Sequence, residues 1–291
     1  MQGIDEFGYL AEEAEEVGAA GPLPEVRRVS AATRGGAVSA LLWGAAPRLT
    51  LLHGAGLNAH TWDSTLLRLG RPAIAFDLPG HGDSAWRDDF DYGPRTNAAA
   101  IAEALDRLAP GVPQDVVGQS LGGTTAIALL EARPEAVRSI VLVDVSPGLR
   151  PGDATSVREF LAGPLVFDSR DQIVDYAVAT GIGTDREKLA RGVVLNTRIR
   201  DDGKVVFKHH LAAPPEGASL SLDFSDLWAP LESSRVPILL VRGTRGFLPA
   251  DVVDEFRRRV PRARIVELDA GHNIQEQQPA ALADAIAGFL S

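Results

Sequence analysis

Apolar runs and helical patterns alternate along most of the chain. The apolar runs are short and rich in Val, Ile and Leu, as buried strands are, and they lie at residues 48–52, 72–77, 115–117, 139–144, 236–243 and 263–268. Between them, stretches such as 95–109 space their apolar residues at helical intervals. Strands that alternate with helices predict an α/β fold whose mostly parallel, doubly wound sheet is covered by helices on both faces.

The chain before residue 48 has a different pattern. Four apolar residues lie at helical spacing, with glutamates on the other faces: Phe7, Leu10, Ala14 and Val17. They predict a short amphipathic helix packed by one stripe, so residues 1–25 are expected to be an acidic helical extension. Two strand-like runs, 27–31 and 37–43, flank Gly35-Gly36 and predict a hairpin.

The alternation also stops in the middle of the chain. After Pro147 the strand–helix rhythm does not return until Val236. Residues 153–213 are mostly helical in pattern, with a short extended piece expected at 205–207. The interruption separates two stretches of α/β pattern from each other.

Charge and composition narrow the classes of function. The chain has 291 residues and a net charge of −10, and an acidic protein is a poor partner for nucleic acid or an anionic membrane. It has no cysteine, which excludes disulfides and thiolate chemistry. Residues 1–21 do not resemble a secretory signal, and no apolar run approaches the roughly 20 residues that span a bilayer. We therefore expect a cytoplasmic protein, a monomer or homodimer, that acts on a small molecule.

The most informative motif is Gly118-Gln119-Ser120-Leu121-Gly122. It follows the apolar run at 115–117 and leads into a helical pattern at 124–133. A strand that turns sharply into a helix around G-x-S-x-G is a nucleophile elbow. Because the turn strains the serine backbone, the residues two before and two after the serine must lack bulky side chains, and Gly118 and Gly122 meet that need. The helix then directs its free N–H groups at Ser120, where an oxyanion would form.

Polar residues follow several of the predicted strands. Ligands of such sheets bind beyond the carboxyl ends of the strands, and the residues at those ends are His53, Asp77, Ser120, Asp144, Gly243 and His272. Three of them occur in the order nucleophile, acid and base: Ser120, Asp144 and His272. A serine hydroxyl is a poor nucleophile at neutral pH without an adjacent base, and an imidazole has the pKa to serve as one.

Four motifs together make the chain resemble the α/β-hydrolase superfamily over residues 26–290. They are H-G-A-G at 53–56, D-L-P-G-H-G-D-S at 77–84, G-Q-S-L-G-G at 118–123 and A-G-H-N at 270–273. The resemblance implies a core formed by 26–146 and 236–291, with a helical cap at 147–235 inserted after strand six. At the matching positions it makes Ser120 the nucleophile, His272 the general base, and the backbone N–H groups of Ala55 and Leu121 the oxyanion hole.

The triad acid departs from the common family pattern. Many members carry it three residues after the Gly that ends strand seven, where this chain has Gly246. A branch of esterase-like members places the acid at the end of strand six, and we therefore assign it to Asp144. The alternative acid is Asp251, which begins a predicted helix and is favoured there by the helix dipole without any catalytic role.

The substrate pocket is predicted from residues near these motifs and from aromatic residues. The candidates are His53, Gly54, Trp62, Gln119, Phe160, Phe167, Trp228 and Asn273. His209 and His210 have no carboxylate cluster near them at ligand spacing, so we expect no metal, and the resemblance implies no cofactor.

These observations favour a serine hydrolase that cleaves an ester, thioester or lactone of a small apolar substrate through an acyl-enzyme. Two alternatives remain open. The same fold also supports carbon–carbon bond hydrolases and non-hydrolytic cyclases or lyases. A ligand receptor that retains the triad would bind a small molecule with negligible turnover.

Overall fold

The computed structural model describes residues 5–150, 152–153, 163–183, 185–212 and 223–291. Its strands are β1 Val26–Thr33, β2 Gly36–Trp43, β3 Leu49–Leu52, β4 Ala73–Phe76, β5 Gln114–Gln119, β6 Val137–Val143, β7 Thr197–Ile199, β8 Val205–Phe207, β9 Ile238–Gly243 and β10 Arg264–Leu268. Its α-helices are α1 Leu10–Glu16, α2 Asp63–Leu69, α3 Pro94–Leu108, α4 Leu121–Ala132, α5 Arg170–Ala179, α6 Arg186–Leu195, α7 Trp228–Ser233, α8 Ala250–Arg259, α9 Ile274–Gln277 and α10 Pro279–Phe289.

Eight of the strands form one sheet in the order β1-β2-β4-β3-β5-β6-β9-β10. The pairs from β4 to β10 are parallel, whereas β2 runs antiparallel to both β1 and β4. The predicted N-terminal hairpin is β1–β2. All strands after it in the sheet therefore point their carboxyl ends to one edge, where the motif residues lie.

Two apolar layers cover the two faces of this sheet. Side chains alternate across a strand, so Val116 of β5 packs in one layer and Val117 in the other. The first layer includes side chains of α3, α4, α7 and α8, and the second includes side chains of α1, α2, α9 and α10. This arrangement confirms the predicted doubly wound α/β fold.

The region between β6 and β9, residues 147–235, is called the inserted region below, and its described part has a small apolar centre of its own. In its described part, α5 and α6 pack together with the antiparallel hairpin β7–β8. The buried residues of this centre are Phe167, Ile173, Val174, Val193, Val205 and Phe207. The short extended piece expected at 205–207 is β8, and the turn before it lets the hairpin lie against the two helices.

The N-terminal segment is attached to both the core and the inserted region. Leu10 and Val17 are buried in the second apolar layer. The Glu6 carboxylate accepts hydrogen bonds from Arg28 and lies 3.1 Å from Nε2 of His60. From α1, Glu16 pairs with Arg191 of α6 at 2.7 Å. The segment is therefore part of the packed body as well as a surface extension.

Within the part of the chain that the structure describes, no helix is both long and apolar enough to cross a bilayer.

Replacing Leu10 by Ala is expected to lower the free energy of unfolding by about 2–5 kcal/mol, because it removes a buried side chain from a packed layer. Deleting residues 2–20 should lower it further and still leave the core folded, since the sheet begins at Val26. Urea unfolding curves measure both effects. Leu23→Ala is the matched control, because the Leu23 side chain is 49% exposed. Equal unfolding free energies for Leu10→Ala and Leu23→Ala would contradict the packing role of α1.

Candidate active site

The turn from β5 into α4 has no room for a side chain two residues before or two residues after Ser120. A Cβ at Gly118 would overlap the backbone of Gly122, and a Cβ at Gly122 would overlap the carbonyl of Leu52. Ser120 itself has φ +51° and ψ −117°, an unusual conformation for a residue with a side chain. The N–H groups of Gly123 and Thr124 bond back to the Ser120 carbonyl at 2.9 and 3.1 Å, so α4 begins immediately after Ser120.

The side chains of Asp144 and His272 form a hydrogen-bonded pair. Nδ1 of His272 lies 2.8 Å from Oδ2 of Asp144, which is fully buried. A carboxylate only accepts, so Nδ1 carries the proton and Nε2 of a neutral imidazole is the free acceptor. The same carboxylate accepts backbone N–H groups from Gly243 at 3.0 Å and Phe247 at 2.8 Å. Both oxygens of Asp144 are thereby fixed.

The glycine at position 246 leaves space for this carboxylate. A Cβ at Gly246 would overlap both carboxylate oxygens of Asp144. β6 and β9 are neighbouring strands, so an acid at the end of either one reaches the same point. In this chain the carboxylate that binds His272 follows β6, and position 246, after β9, has no side chain.

Asp251, the alternative acid, lies elsewhere. Its side chain is 65% exposed and pairs with Arg150 at 3.0 Å. That ion pair lowers the pKa of the Asp251 carboxyl. It lies at the start of α8, the position that the helix dipole favours for an acidic residue.

Phe247 holds the imidazole from its face. The two rings stack with centroids 3.8 Å apart and planes 15° apart. Together with the backbone bond from Phe247 to Asp144, the stacking contact ties both members of the pair to one loop. The sequence analysis did not single out Phe247, and its position next to Gly246 is the only signal that could have indicated it.

The H-G-A-G loop lies directly against the elbow. A Cβ at Gly54 would be 3.3 Å from Cβ of Ser120 and would overlap the side-chain oxygen of Gln119. His53 fixes this loop, since its Nδ1 donates to the Gly54 carbonyl at 2.7 Å and its Nε2 accepts from Leu78 N–H at 2.9 Å. Burial lowers the pKa of His53, in agreement with the neutral ring that these two bonds require.

The inserted region also contacts the H-G-A-G loop. The side-chain amide of Asn196, which follows α6, donates to the Gly56 carbonyl at 2.6 Å. In return, Nδ2 of Asn58 donates to the Leu195 carbonyl at 3.2 Å. The segment that would supply the Ala55 N–H is therefore held from one side by the elbow and from the other by the inserted region. Sequence reasoning missed Asn58 and Asn196.

The predicted pocket residues that the structure describes are found in four different places. Asn273 lines a cavity of about 590 Å³ between the core, α1 and the inserted helices, and His53, Gly54 and Gln119 lie around the elbow. Trp62 and Trp228 are buried in the apolar layers of the core. Phe167 packs in the centre of the inserted region against Phe207, which lines the cavity. Phe160 lies outside the described residues.

Among the described residues, the two tryptophans and Phe167 fill apolar centres and do not line the cavity. The wall nearest the core includes Asn58, Thr61, Asn273 and Glu276, and the wall from the inserted region combines Ile173, Leu189 and Phe207 with the charged side chains of Asp185, Lys188 and Arg191. The described lining of this cavity is therefore mixed, and the preference for an apolar substrate stays a prediction.

Three histidines pack together where the inserted region meets the core. The rings of His53 and His81 are 5.1 Å apart, and those of His81 and His209 are 6.0 Å apart. Burial lowers the pKa of His209 to about 3, and burial also lowers the pKa of His81. Charging either ring in this packed contact is therefore unfavourable.

The His209 contact should make the fold sensitive to acid. Between the ordinary His pKa of 6.5 and the folded value of about 3, the unfolded state binds a proton that the folded state does not. The free energy of unfolding should therefore fall with falling pH across this window, by up to about 1.4 kcal/mol per pH unit for this group. His209→Phe should reduce the slope in urea unfolding measured from about pH 7 to about pH 4.5.

His210→Phe is the matched control for that measurement, because His210 is only partly buried and should contribute less to the slope. Identical slopes for wild type and His209→Phe would show that His209 titrates in the same way in both states.

Comparisons with known proteins agree with this architecture. A family model described as the alpha/beta hydrolase family matches residues 51–285. The chain is 42% identical to Esterase Rv0045c of Mycobacterium tuberculosis over 300 residues, which cover 100% of this chain and 97% of that protein. The crystal structure of that esterase matches with a TM-score of 0.84 and 42% identity, covering 100% of this chain and 99% of that one.

A more distant relative is the pimeloyl-[acyl-carrier protein] methyl ester esterase of Neisseria meningitidis. It is 28% identical over 240 residues, which cover 77% of this chain and 70% of that protein.

Proposed function

Because this chain belongs to the α/β-hydrolase family and is a hydrolase of its esterase branch, we propose that it cleaves a small ester, thioester or lactone through an acyl-enzyme on Ser120. The observation that carries the proposal is the 2.8 Å bond from Nδ1 of His272 to the buried Asp144 carboxylate. It leaves Nε2 of His272 as the ring nitrogen able to take a proton.

In this proposal, Ser120 attacks the substrate carbonyl while Nε2 of His272 removes the hydroxyl proton. Asp144 fixes the ring and stabilises the imidazolium that results. The negative charge that develops on the carbonyl oxygen is stabilised by the backbone N–H groups of Leu121 and Ala55. The imidazolium then protonates the leaving alcohol or thiol. A water molecule, deprotonated by His272, finally releases the acid and restores Ser120.

A cavity with both apolar and polar lining lies beside the proposed catalytic residues, since Gly56 and Asn273, the neighbours of Ala55 and His272, line it. A volume of about 590 Å³ is in the range for small-molecule sites. We infer that the apolar part of the substrate contacts the inserted region, and that its polar part contacts Asn58, Thr61 and Asn273. A chain-length series of p-nitrophenyl esters tests this assignment, with kcat/KM as the measurement. Binding of such esters without turnover would favour a receptor instead.

Ser120→Ala should abolish labelling by a fluorophosphonate, because the substitution removes the only atom of this residue that the reagent can phosphonylate. The melting temperature should stay close to that of the wild type, since a methyl group occupies the same position. Gel fluorescence and thermal unfolding measure the two effects. Ser233→Ala, which alters a serine on α7, is the control and should label fully. Labelling that survives in Ser120→Ala would refute the assignment of the nucleophile.

Asp144→Asn should lower kcat by up to about four orders of magnitude, because an amide cannot hold His272 in the required tautomer. Asp251→Asn should leave kcat nearly unchanged, since its partner Arg150 lies on the surface. Steady-state kinetics on proteins with matched circular dichroism compare the two variants. A large loss in Asp251→Asn with little loss in Asp144→Asn would transfer the role of the acid to Asp251.

A further inference from the structure

A second carboxyl group lies behind the loop that carries His272. Glu276 is on α9, four residues after His272, and is only partly accessible. Its Oε1 accepts a hydrogen bond from the Thr61 hydroxyl at 2.8 Å, and its Oε2 accepts one from Nδ2 of Asn273 at 3.2 Å. The proposed reaction uses Asp144 and leaves this carboxyl group without a role.

The directions of these bonds are determined by their neighbours. The Thr61 hydroxyl oxygen accepts from Nε2 of Gln275 at 3.1 Å, so its own hydrogen is free for Glu276. Asn273 presents its amide nitrogen to Glu276 and its oxygen to Nε2 of Gln119, at 3.4 Å. Glu276 thus receives one donor on each terminal oxygen, and an ionised carboxylate, which only accepts, satisfies both donors.

The same chain of bonds reaches the elbow. Nε2 of Gln119 also lies 3.4 Å from the backbone carbonyl of His272, and Gln119 immediately precedes Ser120. The side-chain oxygen of Gln119 is buried beside Gly54 with no hydrogen-bond partner among the described residues. A polar chain therefore runs from Thr61 through Glu276 and Asn273 to Gln119, and it touches the His272 loop, the elbow and the H-G-A-G loop.

We propose that Glu276 is a positioning residue, whose carboxylate orients Asn273 and through it sets the distance between His272 and Ser120. The inference rests on the proposed function, since it concerns the base and the nucleophile of that reaction. Asp144 holds the imidazole ring of His272 and Glu276 holds the backbone segment that carries it. Gln277 supports the same segment from its other end, because its side-chain oxygen accepts Gly271 N–H at 2.7 Å.

The surroundings of Glu276 raise the pKa of its carboxyl on balance. Burial raises the pKa of its carboxyl, while the bonds from Thr61 and Asn273 and the charge on His272 act against that rise. Of the other titratable groups on the elements that face α9, His60 and Asp63 pair with each other at 2.7 Å. In the proposed reaction, the imidazolium of His272 is a positive charge that acts on Glu276.

The test is Glu276→Gln, alone and combined with Asn273→Asp. The single variant turns an amide nitrogen toward the amide nitrogen of Asn273 or toward the Thr61 hydroxyl, and it should lower kcat for a p-nitrophenyl ester about 10- to 100-fold, with little change in KM. The double variant exchanges donor and acceptor between positions 276 and 273, restores their bond, and should recover most of kcat, whereas the altered substrate contact at position 273 should appear in KM. Glu135→Gln, on the surface, is the control and should match the wild type.

The outcomes separate this inference from the proposed function. If wild-type protein neither labels with a fluorophosphonate nor turns over esters, the proposed function fails. If the wild type is active and Glu276→Gln retains its kcat, or if the double variant recovers nothing, the positioning role is overturned. Should Glu276→Gln fail to fold, Thr61→Val removes one donor without altering the carboxyl, and unchanged kcat in that variant would equally overturn it.

Discussion

The close approach of two backbone segments at the elbow, Gly122 of α4 and Leu52 of β3, is the constraint on which the rest of the site depends. α4 can start beneath the end of β3 only because Gly122 has no side chain against Leu52. The resulting turn holds Ser120 in a conformation that costs roughly 1–3 kcal/mol for a residue with a side chain. β3 and β5, whose residues are all buried, keep the turn in place by packing on both faces. Packing in the core therefore maintains the strained conformation, and this conformation presents the Ser120 side chain at the carboxyl edge of the sheet.

The carboxylate beside His272 can come from either of two adjacent strands. Neighbouring parallel strands end at the same edge, so the space beside His272 can be filled from β6 or from the loop after β9, and one carboxylate excludes a second side chain there. In this chain Asp144 occupies the space and position 246 is a glycine. The loop after β9 still contributes, because Phe247 supplies a backbone donor to Asp144 and a ring face to His272.

Hydrogen bonds and ion pairs connect the inserted region and the N-terminal segment to the edge of the sheet that carries the proposed active site. Asn196 binds the carbonyl of Gly56, next to the proposed oxyanion donor Ala55, and α6 is paired with Glu16 of α1. A displacement of α6 would have to break bonds at both ends. The region that bounds the cavity and the loop proposed to stabilise the oxyanion are thus joined by specific hydrogen bonds, so the shape of the cavity and the geometry of the loop are coupled.

The sequence by itself determined the fold class, because apolar strands of period two alternating with helices have few other solutions. It also indicated Ser120, His272 and Asp144, since each stands just after a strand, and the carboxyl ends of parallel strands share an edge. Only the tertiary structure decided between Asp144 and Asp251 as the partner of His272, because that choice depends on a side chain crossing between strands. It also decided that Trp62 and Trp228 pack in the core, and that Glu276, Asn196 and Phe247 contact the site. Those contacts join residues that are far apart in the chain, or they depend on the direction of a side chain in a loop. The local pattern of apolar and polar residues contains neither kind of information.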